Sequence, residues 1–184
     1  LMVANLAEEA IYRIGGNPLL TRTGALYHDI GKTYEPFFFI ENQAGGMNPH
    51  SNCEFDESAQ HIINHVTKGV ETAKKYNLPE CIINFIRTHH GKSKVKYFYN
   101  SFTTKYPDKE IDESLFTYAG PDPVTRECAV VMMADAVEAV SRTLTEKTEE
   151  NIAQAVNNII NGQVQDGRFV NADITFKDIA TVKQ

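Results

Sequence analysis

Tyr27-His28-Asp29-Ile30-Gly31-Lys32 closes an apolar helical pattern and sets an imidazole beside a carboxylate in consecutive residues. One carboxylate can bridge two cations while the neighbouring imidazole fixes one of them. Imidazole suits Zn, Fe, Mn or Ni, and added carboxylate shifts the preference toward harder divalent ions. A His-Asp dipeptide alone is a weak signal, and its company strengthens it. His61 and His65 stand four apart, His89 and His90 are adjacent, and Asp135 lies inside an apolar run. The six histidines, His28, His50, His61, His65, His89 and His90, all fall in the first half of the chain. Solvation does not explain that clustering.

Working outward, helical periodicity dominates. Leu19 to about Ile30 reads as a helix with Gly31 near its end, which puts His28 and Asp29 in its last turn. Upstream, Leu1, Val3, Leu6, Ala7, Ala10 and Ile11 recur at helical spacing until Gly15-Gly16-Asn17-Pro18 stops them. Downstream, Phe37 to Ile40 fits an apolar loop over a helical core better than a short strand, and a glycine-rich loop follows to about Phe55. Asp56 can cap a long helix to about Tyr76. Further helices are expected over Pro79 to His90, Lys94 to Lys105, Val124 to Leu144 (opened by Asp122 and Pro123), Glu149 to Val164 and Ile174 to Val182. Ile111 to Pro121 reads as a loop. The expectation is an all-α bundle forming one domain over residues 1–184.

Hydrophobic content of 42% and charged content of 23% fit a globular chain long enough to bury a core. The formal net charge of −6 argues against a partner held by long nucleic-acid phosphates. A small phosphate-bearing substrate stays open, since bound metal would supply positive charge. Cys53, Cys81 and Cys128 lack metal-finger spacing and read as free thiols in a reducing compartment. No apolar run is long enough to span a bilayer, and no signal peptide is visible. The start at Leu1, already helical and uncapped, reads as a piece of a longer protein.

Asp135 interrupts Ala129-Val130-Val131-Met132-Met133-Ala134. A buried carboxylate is costly unless paired or bound to a metal, so a metal at the histidines or Arg142, two turns along, holds it, unless Asp135, Glu138 and Arg142 form a solvent-facing stripe. His89 and His90 precede Gly91 at a helix end, about 100° apart on an ideal helix, and reach one ion only if the last turn frays. His65 fits a ligand better than His61, which reads as a substrate contact or plain surface. His50 reads as a surface histidine. Lys32 can meet a phosphate oxygen as a point charge. Tyr97 and Tyr99 can stack on a base, or pack beside Phe98.

Together these residues resemble the HD-domain metal-dependent phosphohydrolases, and more narrowly the cytoplasmic HD domain of the seven-transmembrane cyclic-di-AMP phosphodiesterases (the PgpH type). The resemblance runs through Leu1 to Glu8, Tyr27 to Lys32, Phe38-Phe39-Ile40-Glu41-Asn42-Gln43, Asn48-Pro49-His50, Ser58-Ala59, Ile62 to Val66, Phe85-Ile86, His89-His90-Gly91, Tyr97-Phe98-Tyr99 and Ala134 to Ala139. It implies an HD-domain helical bundle and two divalent transition-metal ions, with Fe or Mn favoured. In that pattern Asp29 bridges, His28 and Asp135 serve one ion, and His65, His89 and His90 serve the other. A further histidine of the first ion would precede Leu1, outside this chain. Lys32, Tyr97, Tyr99 and Arg142 are candidate substrate contacts, and Lys32 and Asp29 the candidate catalytic residues.

The implied activity is hydrolysis of a cyclic dinucleotide, cyclic di-AMP to pApA, by a metal-activated hydroxide. The implied setting is a cytoplasmic domain of a membrane-embedded bacterial protein. Two alternatives stand beside it: an HD phosphohydrolase acting on a mononucleotide or guanosine tetraphosphate, and a sensor that binds a cyclic dinucleotide without cleaving it.

Overall fold

The computed structural model describes residues 1–43 and 48–184, and among them eight α-helices and no β-strand. These are α1 (Met2–Arg13), α2 (Pro18–Tyr27), α3 (Phe55–Lys75), α4 (Glu80–Thr88), α5 (Lys96–Lys105), α6 (Arg126–Thr143), α7 (Glu149–Gln165) and α8 (Phe176–Val182). Helix α6 is the hub. Its run from Cys128 to Ala134 is buried throughout because both sides are covered. Val130, Val131 and Ala134 pack on α1, α2 and Phe85 of α4. Ala129, Met132 and Met133 pack on Ile160, Phe169 and Ile179 from α7 and the C-terminal segment. Ala4, Ala7 and Ile11 give α1 an apolar stripe at helical spacing, all buried. A separate cluster joins Ala59 of α3 to Phe98 and Phe102 of α5 and to Phe116.

The ends of these helices differ from expectation, and mostly for reasons of capping. Helix α2 opens on Asn17, whose side chain accepts from Leu20 N–H at 3.1 Å, with Pro18 at its first position. It closes at Tyr27 rather than Ile30, so His28 is its C-cap and Asp29 leads into a 3-10 turn, Ile30–Thr33. Gly31 explains the break: a Cβ there would lie 1.8 Å from the backbone oxygen of His65. The chain must leave the helix to pass that close to α3. Glu54, not Asp56, is the N-cap of α3, and its N–H donates to Glu57 Oε2 at 3.2 Å. Helix α6 opens two residues past Val124, capped by the Thr125 hydroxyl.

Between helices, Pro36–Phe38, Ile40–Asn42 and Pro49–Asn52 form 3-10 turns, so Phe37 to Ile40 is not a strand. The glycine-rich part of that loop falls on residues 44–47, outside the described residues. Helix α5 starts at Lys96 because Lys94 pairs instead with Thr117 in an isolated antiparallel bridge. The segment expected as a plain loop holds a 3-10 turn, Glu113–Phe116, and buries Phe116.

Candidate metal centre

Four segments meet at one end of the bundle: the α2–turn junction with His28 and Asp29, the middle of α3 with His65, the end of α4 with His89 and His90, and α6 with Asp135. His28, His65 and His89 share one device. Each Nδ1 meets the carbonyl oxygen three residues back, Ala25 at 2.6 Å, Ile62, and Ile86 at 2.8 Å. A carbonyl only accepts, so each Nδ1 carries a hydrogen and each ring turns its Nε2 inward. The Nε2 atoms of His65 and His89 then face each other at 3.1 Å. Two lone pairs that close need a cation or a proton between them.

Asp29 stands between two groups of histidines. Its Oδ2 lies 3.1 Å from His28 Nε2, and its Oδ1 lies 3.4 Å from His65 Nε2 and 3.6 Å from His89 Nε2. Asp135 faces the same space, 3.4 Å from His28 Nε2 and 3.8 Å from His90 Nδ1. Arg142 does not hold it, because that guanidinium grips Glu138 at 2.7 Å. Within this arrangement His65, His89 and His90, and separately His28, Asp29 and His89, bring ligand atoms close enough to share an ion.

The electrostatics ask for positive charge at the centre. His28 Nε2 is buried and makes no hydrogen bond of sound geometry, although two carboxylate oxygens lie within reach. Burial by itself would lower the His28 pKa, but Asp135 and Asp29 more than offset it and raise it to about 10. Burial alone would raise the carboxyl pKa of Asp29, yet His28, His65 and His89 hold it well below the usual range. Asp135 is likewise held low, against burial, chiefly by His28. Burial pushes His89 and His90 down, so both stay neutral and fit for ligation. An orphaned imidazole nitrogen, facing lone pairs and two ionised carboxylates fit one or more first-row divalent cations.

A cleft of about 680 Å³ opens onto this centre. Asp29, Lys32, His65, His90 and Asp135 line it, as does Arg142. Lys32 Nζ lies 2.7 Å from both Asp29 Oδ2 and Glu41 Oε1. Tyr97 and Tyr99 are not brought there. Tyr97 is exposed on α5, and Tyr99 donates to Glu113 Oε1 at 2.8 Å under the Lys94 ammonium. His61 stacks on Phe38 with ring centroids 3.9 Å apart and meets Glu35 Oε2 at 2.9 Å, while His50 Nε2 meets the Phe38 carbonyl at 2.9 Å. Both histidines pin the Phe38 loop. Glu41 and Tyr118 also line the cleft, and the sequence carried no periodic signal for either.

A family model for the HD domain matches residues 1–140. The chain belongs to the HD domain family. It is 40% identical over 183 residues to the cyclic-di-AMP phosphodiesterase PgpH of Listeria monocytogenes, covering 100% of this chain and 25% of that protein. It is 41% identical over 182 residues to the Bacillus subtilis PgpH, covering 99% and 25%. This HD domain thus spans about a quarter of the length of the curated relatives it matches. The crystal structure of the L. monocytogenes PgpH HD domain in complex with cyclic-di-AMP superposes with a TM-score of 0.94 at 41% identity, over 99% of this chain and 84% of that one. The expected HD-domain helical bundle is therefore the fold observed. Among the described residues no helix is long and apolar enough to cross a membrane.

Proposed function

We propose that the chain is a metal-dependent phosphodiesterase domain that hydrolyses cyclic di-AMP to linear pApA. The carrying observation is Asp29, with one oxygen toward His28 and the other toward His65 and His89 at the base of an open cleft. The likeness to a PgpH domain supports the substrate. In this reading Asp29 would be shared between two divalent ions, Fe or Mn, with His28 and Asp135 as the residues that would hold one and His65, His89 and His90 those that would hold the other. When bound, such ions lower the pKa of a water and neutralise charge on phosphoryl oxygens.

The chain's own residues supply the rest. The carbonyl bonds to Nδ1 fix the three imidazole rings and keep their Nε2 atoms free. Lys32 offers a point charge to a phosphate oxygen, and Glu41 steadies it. Arg142, held by Glu138, offers its remaining N–H groups in the same cleft to a second phosphate. Leu1, Met2 and Val3 of the first helix line that cleft too. By the same likeness the domain works in the cytoplasm as part of a membrane-embedded protein.

Turnover of cyclic di-AMP, a mononucleotide and guanosine tetraphosphate by metal-loaded protein tests this. Formation of pApA that disappears in Asp29→Ala, with the helical circular dichroism kept, is the expected result. Preference for another nucleotide would move the substrate, and tight binding of cyclic di-AMP without product would make the domain a sensor.

A further inference from the structure

Tyr118 lies in none of the segments that carry the histidines, yet it forms part of the cleft wall. Its residue is 7% exposed. The ring stacks on His90, centroids 4.3 Å apart and planes 27° from parallel, and presents its edge to His65. The backbone is held as firmly. Tyr118 N–H donates to Ser93 O at 2.9 Å, and Val95 N–H donates to Phe116 O at 2.8 Å, which ties this segment to the turn after His90. Packing on His90 needs only the ring, and Phe would supply it. The hydroxyl is the unexplained part. The O–H makes no hydrogen bond to another described residue and is not sealed from solvent, so it opens onto the cleft that also holds Lys32 and Arg142. A phenol is protonated at neutral pH, so the group is a donor on the wall of a cleft where bound divalent ions, with Lys32 and Arg142, would meet a phosphate.

We infer that Tyr118 is a substrate-contacting residue whose hydroxyl donates a hydrogen bond to a phosphate oxygen of the bound phosphodiester. The inference rests on the phosphodiesterase reading above for its substrate, but not for its phosphate. Lys32 and Arg142 would supply charge, and Tyr118 would supply a directed donor beside the His65–His89–His90 group.

Tyr118→Phe tests it, because the ring and its stack on His90 remain. Metal content and thermal midpoint should match wild type. Affinity of the metal-loaded protein for inorganic phosphate, by calorimetry, should fall on the order of 10-fold, and kcat/KM for cyclic di-AMP on the order of 10- to 100-fold, the range for a hydrogen bond to a charged group. Phosphate affinity and kcat/KM both within two-fold of wild type would overturn the assignment. If wild type binds phosphate but leaves cyclic di-AMP intact, the substrate reading fails, and Tyr118 is then judged on the phosphate arm alone.

Discussion

His65 and His61 occupy the same face of α3, one turn apart, and do opposite things. His65 is buried with its Nδ1 on the Ile62 carbonyl, whereas His61 lies flat on Phe38. Replacing His65 by Ala should therefore lower bound metal, and His61→Ala should leave it unchanged; elemental analysis of both variants separates them. The titrating groups give a second expectation for the chelated protein. The folded pKa of His28 is raised to about 10, so its contribution is complete below about 6.5, the ordinary value, and is lost as pH climbs toward 10. His89 and His90 are depressed, so theirs is complete above about 6.5 and fades in acid. The chelated chain should melt highest near neutrality and fall on both sides. Asp135→Asn should flatten the alkaline limb, since His28 loses one of the carboxylates that raise its pKa, and melts across pH 5–10 that keep a wild-type alkaline slope would contradict this. That His65 lies deeper than His61 was legible from the apolar residue after it. The partial burial of Asp135 was legible too, but not its neighbours, because sequence spacing allowed Arg142 as readily as a histidine from another helix.

At the level of elements, the centre depends on how closely the turn after α2 crosses α3. Gly31 sits against the His65 carbonyl and the Gly69 amide, and Gly69 in turn accommodates Ile86 of α4. A methyl at Gly31 would push α3 away, and His65 moves with it. Gly31→Ala should cost at least about 3 kcal/mol, the upper end of ordinary overpacking, and reduce metal content as well. Urea titration with a metal assay checks both, and a loss below about 1 kcal/mol would mean the crossing is looser than it looks. Eight helices were foreseeable from periodicity, but their junctions were not. The early end of α2 reflects a contact with α3 far along the chain. Likewise Asp122 does not open α6: it accepts from Lys92 N–H at 3.0 Å and Arg168 at 2.9 Å, and so braces the Gly91 turn behind His90. Tyr118 reaches the cleft through the Lys94–Thr117 bridge, a pairing that local pattern cannot reveal.

For the whole molecule, the arrangement divides the bundle. Segments holding Asp29, His65, His89 and Asp135 converge on one centre, while α7 packs on α6 and α8 chiefly on α1, and neither contributes a residue to it. Residues that are distant along the chain would thus be tied through shared ligands, and any ion bound only by the folded form adds its binding free energy to stability. That asymmetry has a consequence for amide hydrogen exchange. On loading, the end of α2, the middle of α3, the end of α4 and the part of α6 around Asp135 should slow together by a common factor, as one cooperative opening unit. Amides of α7 and α8 should keep their rates. Mass-spectrometric exchange with and without chelator reads this directly, and uniform slowing across all eight helices would show instead that the bundle opens only as a whole.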